Sequence, residues 1–415
     1  MVSNKVRLSE IADIIMGQSP KGDSCNNSGL GMPLLNGPTE FGTTHPFPTQ
    51  FTNDPKKVSK VGDILFCVRG STTGRMNYGD QEYAIGRGIG AIRGKSGYST
   101  SFVKAVIESN LAGLLKIATG TTFPNLGKDA LNNFEVKIVN EEEAKFVGSI
   151  YQQIELKIAN NTAMNQTLEK IAQRIFKSWF IDFDPVKANK EGVAFDGLSP
   201  EIQALFPNEF EESELGMVPK GWIPSTIGEE FDLVMGQSPK GTSYNEDAEG
   251  TVFFQGRRDF NFRFPSVRVY TTEPKKIAKQ GDTLLSVRAP VGDVNIALEE
   301  CCVGRGLAAL RHKSNCSSLT YYTVANLKRI FDSFDTEGTV FGSINQKDLK
   351  SLKVIKMSED VASAFSKVIS PLDERIKQNT QNTICLERLR DRLLPKLISG
   401  QITVGEAQKE LAEAI

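Results

Sequence analysis

The chain has 415 residues, 39% of them hydrophobic and 24% charged, with a formal net charge of −1, the profile of a soluble globular chain of two to four domains with ample core. No apolar stretch approaches the ~18–20 residues of a membrane span, and Met1-Val2-Ser3-Asn4-Lys5 starts no signal peptide, so a cytoplasmic location and no membrane partner are expected. Cys25, Cys67, Cys301, Cys302, Cys316 and Cys385 form no Cys-x-x-Cys pair, so reduced, mostly buried thiols are expected and structural zinc is not. Along the chain, residues 8–139 are rich in Gly, Pro and Thr, with short β-like runs such as Ile64–Val68 and turns such as Asn36-Gly37-Pro38, which predicts short strands and one or two helices near 102–117. Then the period changes. Asn140 supplies a helix cap, and Glu141-Glu142-Glu143 place carboxylates at the positive end of the helix dipole. From there Ala144, Val147, Tyr151, Ile154, Ile158, Asn161, Asn165, Leu168, Ala172, Ile175 and Trp179 step by three and four, a heptad seam about five heptads long. Residues 185–221, with Gly192, Pro200, Pro207 and the Glu-rich run 209–214, predict an acidic surface linker with a short helix at Pro200–Leu205.

Residues 226–356 return to the first pattern, with strands expected at Thr251–Phe254 and Ser266–Tyr270 and a helix near 318–334. Phe260, Phe262 and Phe264 alternate with Asp259, Asn261 and Arg263, the pattern of a strand with its aromatic face buried. Adding 218 to each seam position gives Ala362, Phe365, Ile369, Leu372, Ile376, Asn379, Thr383, Leu386, Arg390, Leu393 and Leu397, a second stripe with polar residues at the same central positions. Pro371 and Pro395 stand in it where the first helix has Gln153 and Lys177, which predicts a break near Pro371 and an end near Pro395.

This is a duplication. Met16-Gly17-Gln18-Ser19-Pro20-Lys21-Gly22 recurs as Met235–Gly241, 219 positions later, and Gly62-Asp63, Val68-Arg69 and Gly86-Arg87-Gly88 recur as Gly281-Asp282, Val287-Arg288 and Gly304-Arg305-Gly306. Gly120-Thr121-Thr122-Phe123 is echoed at 338–341. The expected fold is α+β: two similar globular α/β domains separated by two long helices that form an intramolecular antiparallel coiled coil, with pseudo-two-fold symmetry. The expected divisions are 1–140, 141–184, 185–221, 222–357 and 358–415. Asn161 and Asn165, with Asn379 and Thr383, are expected to set the register of the helix pair. Net charge is +4 over 1–140 and +2 over 222–357, against −2, −4 and −1 for the other three segments. Positive charge therefore gathers in the duplicated domains, as a phosphate-contacting face requires.

Three stretches carry a family resemblance. Arg174–Pro185 (Arg-Ile-Phe-Lys-Ser-Trp-Phe-Ile-Asp-Phe-Asp-Pro), Pro219-Lys220-Gly221-Trp222 and Leu393-Leu394-Pro395-Lys396-Leu397-Ile398-Ser399-Gly400 resemble conserved regions of the specificity subunits of type I restriction-modification systems. The Met-Gly-Gln-Ser-Pro-Lys-Gly and Gly-Asp-Ile-Leu motifs are similar to those of that family's target recognition domains. The resemblance implies two such domains, each reading one half of a split double-stranded DNA target. It also implies methyltransferase (modification) subunits docked on the helices, restriction subunits joining through the complex, and no chemistry or cofactor in this chain. The residues agree. His45 and His312 are the only histidines, Gly94-Lys95-Ser96 lacks the earlier P-loop glycine, Gly86-x-Gly88 lacks the third dinucleotide glycine, and no Pro-Pro occurs. Glu155-Leu156-Lys157 reads as a solvated charge pair on the helix. Two alternatives stay open: an enzyme fused to recognition domains, and a tether with two protein- or carbohydrate-binding domains.

Residues identical between copies suit phosphate contacts, which carry no sequence information: Gln18, Lys21, Arg69 and Arg87, and Gln237, Lys240, Arg288 and Arg305. A shared fold requirement is the competing explanation. Base reading is expected where the copies differ, at 34–48 and 253–268: Gln255, Arg257 and Arg258 in the second domain, with Asn36, Thr39 and Thr72 as lesser candidates in the first. Phe176, Phe180 and Phe183, at a helix end, are expected either to be exposed for subunit docking or to cap the local core.

Overall fold

A computed structural model describes residues 4–120, 124–336 and 342–414. The Gly-Thr-x-Phe echo at 121–123 and 338–341 lies outside the described residues. The chain forms two compact units, Met1–Asn165 with Gln378–Ile415, and Gln166–Lys377. Each long helix therefore contributes one part to each unit.

The first unit holds an antiparallel sheet in the order Ala12–Met16, Ile89–Gly94, Ile64–Cys67, Met76–Tyr78, and a second sheet in the order Cys25–Asn26, Gln50–Thr52, Met32–Leu35, Ala84–Ile85. The second unit repeats both: Phe231–Met235, Leu307–His312, Thr283–Ser286, Val294–Ile296, and Tyr244–Asn245, Tyr270–Thr271, Thr251–Phe254, Cys301–Val303, Ile277–Ala278. Register repeats as well. Ile14 faces Ile92, and Leu233, 219 positions after Ile14, faces Leu310. Helices Thr100–Ser109 and Leu111–Lys116 match Ser317–Asn326 and Lys328–Thr336. The Gly-Asp motif is a turn lock: Asp63 accepts from Lys60 N (2.8 Å) and Arg93 (2.7 Å), and Asp282 from Lys279 N (2.7 Å) and Arg311 (2.6 Å).

The seams are where the heptads place them. The first helix spans Glu141–Phe180, and Glu143 N donates to the Asn140 side chain at 2.9 Å. No seam residue of either helix is exposed. In the first unit Ala144, Val147 and Tyr151 share one core with Leu389, Leu393 and Leu397 of the second helix and with Leu8, Phe66 and Phe102 of the sheet domain. Glu155 meets Arg390 (2.7 Å), Asn161 reaches Thr383 (3.4 Å), and Asn379 Nδ2 donates to Asn165 Oδ1 (2.9 Å). Positions rise on one helix as they fall on the other, so the pair is antiparallel. In the second unit Phe365 packs on Phe176, Trp179 and Phe180, with ring centroids 5.8, 5.7 and 5.0 Å apart.

Four expectations are corrected. The second helix runs unbroken from Glu359 to Ile398 through both prolines. Pro371 and Pro395 are exposed, so the carbonyl that each leaves unpaired faces water, while buried Ile369, Ile376, Leu393 and Leu397 hold the helix on either side. Its stop is Gly400, at φ +70, where Gln401 N bonds Lys396 O and Gly400 N bonds Leu397 O, the paired bonds of a glycine C-cap. Residues 266–269 form no strand; the strand is Tyr270–Thr271. Nor do 260–264: Phe264 is buried, but Phe262 is 45% exposed and the buried polar residue is Arg263. The acidic segment is more than surface connection. It forms helices Asp184–Glu191 and Pro200–Gln203 and a hairpin of Phe210–Ser213 with Gly216–Pro219, with Val186, Phe206 and Val218 buried. Among the described residues, no helix is long and apolar enough to cross a membrane.

Candidate nucleic-acid interface

Four loops meet at one edge of each unit, brought there by backbone bonds that repeat. Gly17 N and Gln18 N donate to Ile89 O and Ile85 O (2.9 and 2.8 Å), as Gly236 N and Gln237 N do to Leu307 O and Val303 O (2.9 Å each). A Cβ at Gly17 would stand 2.2 Å from Gly86 O, and one at Gly236 2.1 Å from Gly304 O, so only glycine permits this approach. Arg87 N and Arg305 N donate to Ser19 Oγ and Ser238 Oγ, both at 3.2 Å, and Val68 N and Val287 N to Gly88 O and Gly306 O, both at 2.9 Å. Gly86 and Gly88 press on Asn36, as Gly304 and Gly306 do on Gln255. The shared motifs are therefore first a fold requirement; what they display is the second question.

They display cations. Lys21, Arg87, Lys240, Arg258, Arg288 and Arg305 are exposed, with no ion pair among the described residues. Gln18, Thr39, Gln237 and Gln255 are exposed beside them. Other candidates are already engaged. Arg69 Nε donates to Asn125 Oδ1 at 3.2 Å. Asn36 Nδ2 donates to Gln50 Oε1 (2.9 Å) and Asn36 Oδ1 accepts from Ser19 (3.4 Å). Thr72 is half-buried, 3.7 Å from Cys67 Sγ. Arg257, taken from the sequence as a base reader, bonds Asp293 through Nε at 2.7 Å, which leaves only its terminal nitrogens to a ligand. Gln255 and Arg258 instead line a recess of about 360 Å³ with Tyr244, Phe253, Asp259 and Arg268. Tyr244 and Gln50 were not singled out by sequence because they lie outside the divergent segments 34–48 and 253–268, and Arg268, the last residue of the second segment, was not named as a reader.

Phe176 and Phe180 are not exposed. They are 6% and 5% accessible, packed with Trp179, Trp222 and Phe365, and Phe183 is half-buried against Phe210 and Trp222, so all three close the local core.

Each unit also buries a cation that sequence reasoning missed. In the first, Lys104 (6% accessible) bonds Glu108 (2.6 Å), Glu155 (3.1 Å) and Tyr151. Burial alone raises the Glu155 carboxyl, but Lys104 and Arg390 outweigh it and hold it below the usual carboxylate range. Glu155 is thus no solvated partner of Lys157. In the second, Arg263 (3% accessible) bonds Glu169, Asp373 and the Tyr322 hydroxyl (2.7 Å), with Tyr321's ring 3.9 Å away. Burial works against its charge, yet Asp373, Tyr322 and Glu169 hold its proton more tightly than usual. Asp373 is Glu155 displaced by 218, the one signal in the repeat that pointed to these clusters. Arg263 also has φ +68, a backbone conformation that costs a non-glycine residue about 1–3 kcal/mol.

Fold and loops together define a duplicated binding scaffold. Residues 3–170 and 219–386 each match the family model for the type I restriction modification DNA specificity domain, and the chain belongs to that family of specificity subunits. It is 35% identical over 201 residues to the putative type I restriction enzyme MjaX specificity subunit of Methanocaldococcus jannaschii; the match covers 47% of each chain, so this chain spans about half the length of that relative. Against the type I restriction enzyme HindI specificity subunit of Haemophilus influenzae it is 24% identical over 418 residues, covering 84% of this chain and 88% of that one. The crystal structure of a type I restriction-modification S subunit from M. genitalium shares the fold over 96% of both chains, with a TM-score of 0.66 and 15% identity.

Proposed function

We propose that the chain gives a type I restriction-modification complex its DNA sequence specificity and performs no chemistry itself. In this reading residues 1–140 and 222–357 are recognition domains, 141–184 and 358–415 are spacer helices, and 185–221 connects them. Each recognition domain reads one half of a bipartite double-stranded target. Methyltransferase subunits dock on the helices, and restriction subunits join through that complex, a role that places the chain in the cytoplasm with the DNA. A helix of 40 residues is about 60 Å long at 1.5 Å per residue, long enough to serve half-sites one duplex turn (~34–36 Å) or more apart.

The observation that carries this reading is the pairing of a repeated frame with unlike contents. The loop bonds recur in both units, and each presents exposed cations without carboxylate partners among the described residues, Lys21 and Arg87 in one, Lys240, Arg288 and Arg305 in the other. Beside them the divergent slot holds Asn36 bonded to Gln50 in the first unit, and Gln255 facing a recess with Arg258 in the second. Cations without protein partners suit phosphate, and unlike amide and guanidinium groups suit unlike base edges.

Binding of the assembled complex to cognate and scrambled duplexes across a salt series tests it. Lys240→Ala should weaken both alike and reduce the salt slope by about one. Gln255→Ala and Arg258→Ala should cost about 1–3 kcal/mol of discrimination at positions of one half-site only. Equal losses on both duplexes from all three variants would reject the division into positioning and reading residues.

A further inference from the structure

The segment proposed to read bases in the second domain, 253–268, is tied down in its middle. Arg263 leaves the loop at φ +68, with Phe264 N bonded to Phe262 O across it (2.8 Å), and turns its guanidinium inward. There it bonds Glu169, on the first long helix, and Asp373, on the second. Neither carboxylate depends on it for all its bonds: Gln173 Nε2 donates to Glu169 (2.8 Å) and Ser318 Oγ to Asp373. Arg263 makes the ion pairs that tie the segment to both helices, and Phe264 beside it is buried in the core that both helices line.

The first domain shares one backbone bond here, but Thr44 is not at positive φ and the grip is missing. Tyr78 N donates to Thr44 O at 2.9 Å, as Ile296 N donates to Arg263 O at 2.8 Å, so Thr44 occupies the place of Arg263. Among the described residues, the Thr44 side chain bonds neither long helix. The carboxylate equivalent to Asp373, Glu155, is bonded instead by Lys104 of a short helix and by Arg390 of the second long helix.

We propose that Arg263 is a positioning residue for DNA reading: it latches the second domain's reading segment to the helix pair, while the first domain's segment carries no such latch. This rests on the DNA-specificity reading above. Latching fixes where Gln255 and Arg258 stand relative to the helices, so the base preference of the second half-site depends on Arg263 although it touches no base. A planar fork that spans two carboxylates is what the geometry uses, and a lysine ammonium cannot bridge both with the same directions.

The test uses the complete chain assembled with its modification subunits, and reads base preference at each half-site by selection from randomised duplexes. Arg263→Lys, and Arg263→Met combined with Glu169→Gln and Asp373→Asn so that no buried charge is stranded, are compared with Thr44→Ala, each checked by thermal unfolding. The expected result is that discrimination at the second half-site falls about tenfold in both Arg263 variants, with the first half-site and the salt slope unchanged, while Thr44→Ala leaves the second half-site's preference as in wild type. Folded variants that keep full discrimination at the second half-site overturn the latch. Equal loss at both half-sites overturns it too, since that is the mark of a general structural role. If the triple variant does not fold, Arg263→Lys decides alone. A wild-type complex without two separate preferred blocks would instead reject the functional reading itself.

Discussion

The polar layer in the helix seam makes a test with an unusual sign pattern. Asn379 is 1% accessible and Asn165 4%, and Asn379 Nδ2 donates to Asn165 Oδ1 at 2.9 Å inside a mostly apolar seam. Asn379→Leu removes that donor from a buried amide oxygen. Losing a partner in a buried hydrogen bond costs about 1–3 kcal/mol. The bond from Asn161 Nδ2 to the backbone oxygen of residue 379 survives the change. For a unit of roughly 200 residues, each kcal/mol lowers Tm by about 2–4 °C, so the single variant should melt about 2–12 °C below wild type. Asn165→Leu combined with Asn379→Leu removes both amides, with the bond from Asn165 Nδ2 to the half-buried Thr380 hydroxyl (3.1 Å), and replacing both partners of a bond by apolar groups is near neutral or stabilising. Calorimetry of the full chain should therefore place the double variant at or above wild type and well above the single one, a coupling of about 1–3 kcal/mol. Additive losses would show that the two side chains do not meet, and the antiparallel register would be wrong.

Three further outcomes are expected. Pro371→Ala restores a backbone donor in an unbroken helix at an exposed site and should raise the urea midpoint, by about 1–3 kcal/mol of stability; no change would mean that the carbonyl left by the proline is fully satisfied by water. Lys104→Met removes the cation between Glu108 and Glu155, leaving Glu155 to Arg390 and Glu108 to the Tyr151 hydroxyl, and should destabilise by about 1–3 kcal/mol, seen as an early calorimetric transition; a shift under 1 °C would refute the role given to this cluster. Burial holds the His312 imidazole below its ordinary pKa of 6.5, with Lys356 and Lys313 adding to the effect against Glu230. A depressed folded value means that the unfolded chain takes up the proton first, so the stability is fully present above 6.5 and is lost as pH falls through the folded value. Melting at pH 7.5 and 5.5 should show the loss, and His312→Gln should lessen it.

The duplication and the helix seam were legible because both are periodic. A domain copied at 218–219 positions carries its register with it, and a five-heptad stripe has few ways to be buried. The loop edge was legible in part: the repeated Gly-Arg-Gly and Met-Gly-Gln-Ser-Pro-Lys-Gly motifs do meet, but mainly because Gly17 and Gly236 must touch backbone carbonyls. Local rules failed where tertiary contacts outweighed them. Pro371 and Pro395 break no helix, since a solvent-facing carbonyl costs little and the seam residues around it are held. Phe176 and Phe180 look exposed at a helix end until Trp222 and Phe365 cover them. Arg263 was read as the outward-facing member of an alternating strand, because no local pattern marks a buried arginine whose two partners lie 94 and 110 residues away.

The central claim, that this chain decides which DNA is methylated through two separate reading sites, is met most directly by sequencing modified bases in genomic DNA with and without its gene. The account predicts one bipartite motif, two specified blocks flanking an unspecified spacer, that is methylated when the gene is present and unmodified when it is deleted. Methylation that persists unchanged after deletion, or a gene-dependent motif that is a single uninterrupted block, would contradict it.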